Sequence, residues 1–208
     1  MRRTEGQSVT GFVRATILLI ALTVVTILST CSAVHIRTGP PTDAEATQRS
    51  EDQGRRFRTE WADRLQRTDP INQAEMLRVF LDSTTTRFIR FGRQINDWWR
   101  EESKRRGVQV PIEQVRAAVE RSSQIDLPLL DAYEDVLEYG VTLIKEARFF
   151  DSPAQERLVQ YRDLYLETYS AVFYPNGTRE EFDLQLQGLE SRTQQASRDL
   201  EAELARYR

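Results

Sequence analysis

The stretch INQAEMLRVFLDSTTTRFIRFGRQINDWWREESKRR, residues 71–106, decides the fold. Within it Leu77, Leu81, Thr84, Phe88, Phe91, Ile95 and Trp98 follow one another at alternating steps of four and three. That is the seven-residue repeat of helices packed at shallow angles. No proline interrupts the run, so it reads as a single helix of about 36 residues, roughly 54 Å long. Gly92 and Thr84–Thr86 are its weakest points. Asp69-Pro70 opens it, with Asp69 as cap and Pro70 in the first turn, where its missing N–H costs nothing. Lys104-Arg105-Arg106 puts positive charge where the helix dipole favours it, and Gly107 is the stop. The register predicts Phe88 and Phe91 in the core and Arg90 pointing outward.

Further helices flank it. Thr42 with Glu45 three residues on has capping-box spacing, and the helix it starts carries Phe57, Trp61 and Leu65 on one apolar stripe. After Gly107, Val110-Pro111 opens a helix with Ile112, Val115 and Val119 inward, and Leu127-Pro128 breaks or kinks it. Leu130, Tyr133, Leu137, Gly140, Ile144 and Ala147 then repeat at three and four. Ser152-Pro153 with Gln155 is another capping-box start, for a helix holding Leu158, Tyr161, Tyr165, Thr168 and Val172. Pro175-Asn176-Gly177 is a turn, and Thr178 with Glu181 caps the last helix. Its stripe is Phe182, Leu186, Leu189, Thr193, Ala196, Leu200 and Tyr207. No stretch alternates with period two for long enough to make a strand. Short linkers make sequential helices antiparallel neighbours. Residues 43–208 are therefore expected to form an all-α, up-and-down antiparallel helical bundle with long heptad-patterned helices.

Ahead of the bundle stand a basic N-terminal tail (1–14), an apolar run (15–36) and the linker RTGPPT (37–42). The run ATILLIALTVVTILSTCSAVHI has 22 residues and no charged side chain. As a helix it spans roughly 33 Å, enough for a hydrocarbon core of about 30 Å. Read that way it is an uncleaved transmembrane anchor. Arg2, Arg3 and Arg14, followed by an apolar core and small residues, also read as a secretory signal with cleavage near Ala33. Leu28-Ser29-Thr30-Cys31 resembles the lipobox of bacterial lipoproteins, with Thr30 where that motif has Gly, Ala or Ser. The resemblance covers the N-terminal segment only and implies acylation of Cys31. The arginine bias keeps the N-terminus in the cytoplasm. All three readings put the bundle outside it, in the periplasm or at the cell surface. Cys31 is the only cysteine, so an intramolecular disulfide is excluded.

Charge narrows the partners. Taking the three arginines and Glu5 of residues 1–36 from the 29 basic and 32 acidic residues of the chain leaves 26 and 31, a net charge of −5. That argues against nucleic acid. Only Lys104 and Lys145 are lysines, and the arginine excess reads as codon bias rather than phosphate recognition.

The usual catalytic sets are absent from the sequence. The single histidine, His35, ends the apolar run and reads as an interfacial residue. There is no Gly-x-Ser-x-Gly elbow, no glycine-rich phosphate loop and no Cys or His pair at metal spacing, so no cofactor or metal is expected. Asp131/Asp135, Glu134/Glu138 and Asp163/Glu167 are carboxylate pairs at i,i+4, but without histidine in the bundle they read as solvated or ion-paired faces. Trp98 fits the core stripe, which leaves Trp99 at its edge, as a flanking core position or an aromatic anchor for a partner. Arg90, Arg93, Arg100 and Lys104 form a basic stripe interrupted by Asp97. It either attracts an anionic partner or pairs with Asp131, Glu134, Asp135 and Glu138 of a later helix. Asn176-Gly177-Thr178 matches the N-glycosylation sequon and reads as a turn.

The leading expectation is a membrane-tethered, non-enzymatic interaction or structural module of the cell envelope, bound to the membrane by its N-terminal segment and to an unidentified protein partner. Trp99, Arg90, Arg93, Arg100 and Lys104 are its candidate partner surface, and Cys31 is its conditional lipidation site. Two other classes compete. One is a ligand-sensing or ligand-carrying bundle whose Thr84, Gly140, Thr168 and Thr193 line a cavity. The other is an enzyme built on convergent carboxylates.

Overall fold

The computed structural model describes residues 44–208, apart from 124–126 and 148. They fall in one compact unit, Val34–Arg208. The N-terminal tail, the apolar run with Cys31 and His35, the linker and the Thr42 cap lie outside the described residues. Six helices pack against one another: α1 (Ala44–Arg67), α2 (Pro70–Arg106), α3 (Ile112–Ser123), α4 (Leu127–Glu146), α5 (Ser152–Phe173) and α6 (Arg179–Leu204). A 3-10 turn, Ala205–Tyr207, follows α6. There is no strand among the described residues. None of their helices is long and apolar enough to cross a membrane.

The helix ends follow from local chemistry. Asp69 Oδ1 accepts the Asn72 N–H at 3.1 Å, with Pro70 in the first turn, so α2 starts where its cap predicts. Gln73 Nε2 reaches back 2.6 Å to the Leu65 carbonyl, which at the end of α1 also accepts the Thr68 N–H at 3.3 Å. Gly107 adopts φ 70 and its N–H bonds the Lys104 carbonyl at 3.2 Å, a left-handed stop that favours glycine. α2 thus runs 37 residues without a break. At α6 the Thr178 and Glu181 side chains cap each other's backbone, as their spacing predicts. α5 differs from expectation. Its cap is Asp151, not Ser152, and Asp151 Oδ1 accepts the Ala154 N–H at 3.2 Å. The chain's C-terminal end meets this cap: Tyr207 Oη accepts the Asp151 N–H at 3.1 Å and Arg206 pairs with the Asp151 carboxylate at 3.2 Å.

Cross-helix pairs give the directions. Leu65 faces Gln73, and Trp61 faces Phe80 with ring centroids 5.3 Å apart, so α1 and α2 run antiparallel. Trp99 bonds Val110, Phe80 meets Tyr133 edge-on, and Leu77 fills the space over Gly140. Residue numbers from 110 to 140 therefore rise as those of α2 fall. α3 and α4 are one return leg in two pieces. The expectation that every pair of sequential helices packs antiparallel fails here, since Pro128 starts a new helix without reversing the chain. α1 and α4 run parallel, with Arg58 on Asp135 at 2.7 Å and Gln66 on Tyr139 at 2.6 Å. They approach closely because a Cβ on Gly54 would stand 2.7 Å from the Pro128 carbonyl oxygen. α6 returns along both α5, where Arg192 pairs with Glu167 at 2.6 Å, and α2, where Asn96 bonds Asp183 at 2.8 Å.

Two aromatic clusters fill the core. Phe57, Trp61, Phe80 and Tyr133 join α1, α2 and α4, with Phe80 edge-on to Tyr133 at 5.4 Å. Phe88 and Phe91 meet Tyr165, Tyr169 and Phe173 of α5. Both α2 phenylalanines are buried and Arg90 is exposed, as the register predicts. The stripes of α1 and α5 are buried throughout. At Trp98 the register reading fails. Trp98 is half-buried, while Trp99 is 1% exposed and donates from Nε1 to the Val110 carbonyl at 2.8 Å. A strict seven-residue repeat drifts by about 20° per heptad on a straight helix. Over the three heptads from Leu77 the inward side has moved past Trp98 to Trp99. Ala147 is also corrected: α4 ends at Glu146, and Ala147 lies exposed in the turn.

Candidate functional site

Where α2 ends and α6 begins, the surface holds an open depression of ≈ 460 Å³. Arg100, Ser103 and Lys104 of α2, Gly107, Val108 and Gln109 of the loop after it, and Arg179 and Glu180 of α6 line it. Its shape follows from the loop after α2. Gly107 turns the chain, the Val110 N–H donates to Ser103 Oγ at 3.0 Å, and Trp99 holds the Val110 carbonyl. The loop is thereby folded back on α2, and Val108 is left 66% exposed. Leu184, 67% exposed, lies four residues after Glu180 and so on the same face of α6.

The cations of this surface have weak local partners. Arg100 pairs with Asp97 at 2.8 Å and Glu101 at 3.3 Å, Lys104 with Glu101 at 3.1 Å, and Arg179 with Glu180 at 2.6 Å. Exposed pairs of this kind contribute about 0–1 kcal/mol, so a partner's carboxylate can replace them at little cost. Hydrogen bonds from Arg105, then Arg106, hold the Glu102 carboxyl down to about 2. Hydrogen bonds from Lys104 and Arg100 hold Glu101 below its usual range.

Of the sequence-predicted surface residues, Arg100 and Lys104 come together in the depression. Arg93 points elsewhere and pairs with Glu190 of α6. Arg90 is exposed and makes no ion pair among the described residues. Trp99 is withdrawn from the candidate surface, because its indole is enclosed and its N–H is used by the loop. Cys31 lies outside the described residues. The basic stripe does not pair with the acidic face of α4. Asp135 bonds Arg58 of α1, and Glu138 bonds Arg162 of α5 at 3.1 Å. The reason is helix order: α1 and α5 flank α4, whereas the C-terminal part of α2 has α6 beside it. Asp163 and Glu167 are likewise paired, with Arg162 at 2.7 Å and Arg192 at 2.6 Å.

One polar cluster escaped the sequence reading. Arg78 bonds Glu75 at 2.7 Å and Asp82 at 2.9 Å, Ser197 donates to Asp82 at 2.9 Å, Tyr161 donates to the other Asp82 oxygen, and Arg208 pairs with Glu75 at 3.1 Å. Burial works against the Arg78 charge, but the Glu75 hydrogen bond and the fields of Glu75, Asp82 and Glu201 outweigh it and raise its pKa. Burial, then the Asp82 charge, pushes the Tyr161 hydroxyl far above its ordinary value. The cluster joins α2, α5, α6 and the C-terminus, and its donors and acceptors satisfy one another. Its work is to fix the register of three helices. The signal in the sequence was Glu75, Arg78 and Asp82 at steps of three and four, overlapping the apolar stripe.

Thr84, Thr168 and Thr193 are buried, and each donates to a carbonyl of its own helix at 2.7–2.9 Å. A Cβ on Gly140 would stand 2.6 Å from Leu77 Cδ2. Leu77 thus fills the space beside Gly140, and the three hydroxyls are satisfied within their own helices. No group of three or more His, Cys, Asp or Glu stands at metal-binding distance among the described residues. Compared with models of known protein families, with curated proteins and with solved structures, the chain matches none.

Proposed function

We propose that this chain is a membrane-tethered, non-enzymatic interaction or structural module of the cell envelope. Six helices make an up-and-down bundle of five legs, carried on residues 15–36 outside the cytoplasm. The surface that meets its protein partner is the depression between α2 and α6. One observation carries the reading: Val108 stands exposed among Arg100, Lys104 and Arg179, whose own ion partners are exposed and weakly held, and Leu184 stands exposed one turn along α6 from Glu180. Apolar contact supplies the driving force for association and the cations supply orientation. The partner's complementary surface is therefore acidic around an apolar centre. The tether rests on the 22-residue apolar run and the arginines before it.

A photo-crosslinking residue in place of Val108, in the full-length protein in its native membranes, tests this. A discrete adduct is expected, and Arg100→Glu with Lys104→Glu abolishes it. An adduct indifferent to that charge reversal, or none at all, overturns the assignment of the surface. The tether is tested separately. The full-length protein stays with membranes through alkaline washing and leaves them in detergent. Recovery in the aqueous phase with an intact N-terminus refutes the tether. A diacylglycerol mass lost in Cys31→Ser identifies a lipoprotein, and an unprocessed Met1 identifies an anchor.

A further inference from the structure

We propose that Asn176 is a site of spontaneous covalent modification, deamidation through a cyclic imide with Gly177, and that Arg116 promotes it. Asn176 and Gly177 lie exposed in the turn between α5 and α6. Arg116 of α3 reaches this turn with both faces of its guanidinium edge: Nε donates to the Pro175 carbonyl at 2.9 Å and Nη2 donates to Asn176 Oδ1. The positive charge therefore sits on the side-chain carbonyl oxygen of the one asparagine in the chain that precedes a glycine. The Gly177 N–H, by contrast, donates no hydrogen bond among the described residues. Gly177 also has no Cβ to shield its nitrogen, and its φ of 77 favours glycine at this place. A free nucleophile and a polarised electrophile are thus adjacent along the chain and open to water.

The chemistry needs no co-reactant beyond water. The Gly177 nitrogen loses its proton to solvent base and attacks Cγ of Asn176. A C–N bond forms, and the negative charge that develops on Oδ1 meets the Arg116 guanidinium, which stabilises it as a donor stabilises an oxyanion. The carbonyl re-forms, Nδ2 takes up a proton and leaves as ammonia, and a five-membered imide results. Water then opens the ring. Attack at the side-chain carbonyl gives aspartate; attack at the main-chain carbonyl gives isoaspartate, with the chain running through Cγ. The net change consumes a water and releases ammonia. Both products carry a carboxylate beside Arg116 and just ahead of the α6 N-terminus, where negative charge is favoured. Isoaspartate also lengthens the main chain two residues before the Thr178 cap, and so loosens the joint between α5 and α6.

The test is ageing of the full-length protein in detergent at mildly alkaline pH. Peptide mapping and isoaspartyl methyltransferase labelling follow the products. Conversion is expected in the peptide containing Asn176, with Asn72 and Asn96 unchanged as internal controls, and Asn176→Gln abolishes it. Arg116→Gln slows conversion severalfold. That is far less than the about 10²–10³ a donor gives in a water-excluded oxyanion hole, because solvent screens an exposed charge. Circular dichroism shows whether each variant keeps its helices, and Arg116→Lys, which retains the charge, keeps part of the acceleration. An unmodified Asn176 peptide, or a folded Arg116→Gln variant that converts as fast as the parent, overturns the proposal.

Discussion

Phe88→Ala probes the packing of α2 on α5. Phe88 is 5% exposed, and its ring centroid lies 5.3 Å from that of Tyr165, 5.7 Å from Tyr169 and 5.5 Å from Phe173. Truncating a buried phenylalanine costs about 3–5 kcal/mol, from the lost transfer energy and the cavity left behind. Aromatic pairs contribute about 0.5–1.5 kcal/mol each beyond area burial. With three such pairs lost at once, the upper part of the range is expected. For a domain of this size about 1 kcal/mol moves the thermal midpoint by about 2–4 °C, so Phe88→Ala lowers it by about 8–20 °C. Arg90→Ala, two residues on and exposed, stays within about 0.5 kcal/mol and shifts the midpoint by about 2 °C at most. Thermal circular dichroism of the chain beginning at Thr42 compares the two variants. Equal midpoints, or the larger loss at Arg90, refute the register and make the basic stripe the buried face.

The two tryptophans part company in the same assay. Trp99→Phe leaves the Val110 carbonyl without its donor, which costs about 1–3 kcal/mol besides the lost volume, whereas Trp98→Phe is nearly neutral; the reverse order refutes the drift of the stripe. Alkali is expected to destabilise the bundle through its buried tyrosines. Burial raises Tyr161 and Tyr165 far above the ordinary 10.0, and raises Tyr169 to about 12. Their folded pKa values exceed the unfolded one, so their contribution is complete below pH 10 and is lost as pH rises through the folded values. Ultraviolet titration should therefore show these phenols ionising together with helix loss, and ionisation near pH 10 in the intact bundle refutes it.

The sequence by itself determined the elements. Periodicity needs only a helix and an apolar side, so the stripes of α1, α2 and α5 were legible, from Phe57-Trp61-Leu65 to Leu158-Tyr161-Tyr165. Caps are equally local, and Asp69, Gly107 and the Thr178–Glu181 box stand where their spacing put them. Which helix lies beside which is a different kind of fact. A stripe has no address, and nothing in it says that α1 runs parallel to α4 or that α3 and α4 form one leg. That choice decided the ion pairs: the acidic residues of α4 found Arg58 and Arg162, and the basic residues of α2 turned to Glu190 and to their own helix. It brought partners to the cap of α5 as well, since Tyr207 and Arg206 reach Asp151 from the far end of the chain. The depression belongs to this second class, because Arg100 and Lys104 meet Arg179 only when α6 returns along α2. Local patterns settle in a few residues what the backbone does, while charge pairing and surface shape wait for neighbours that only the packed core brings together.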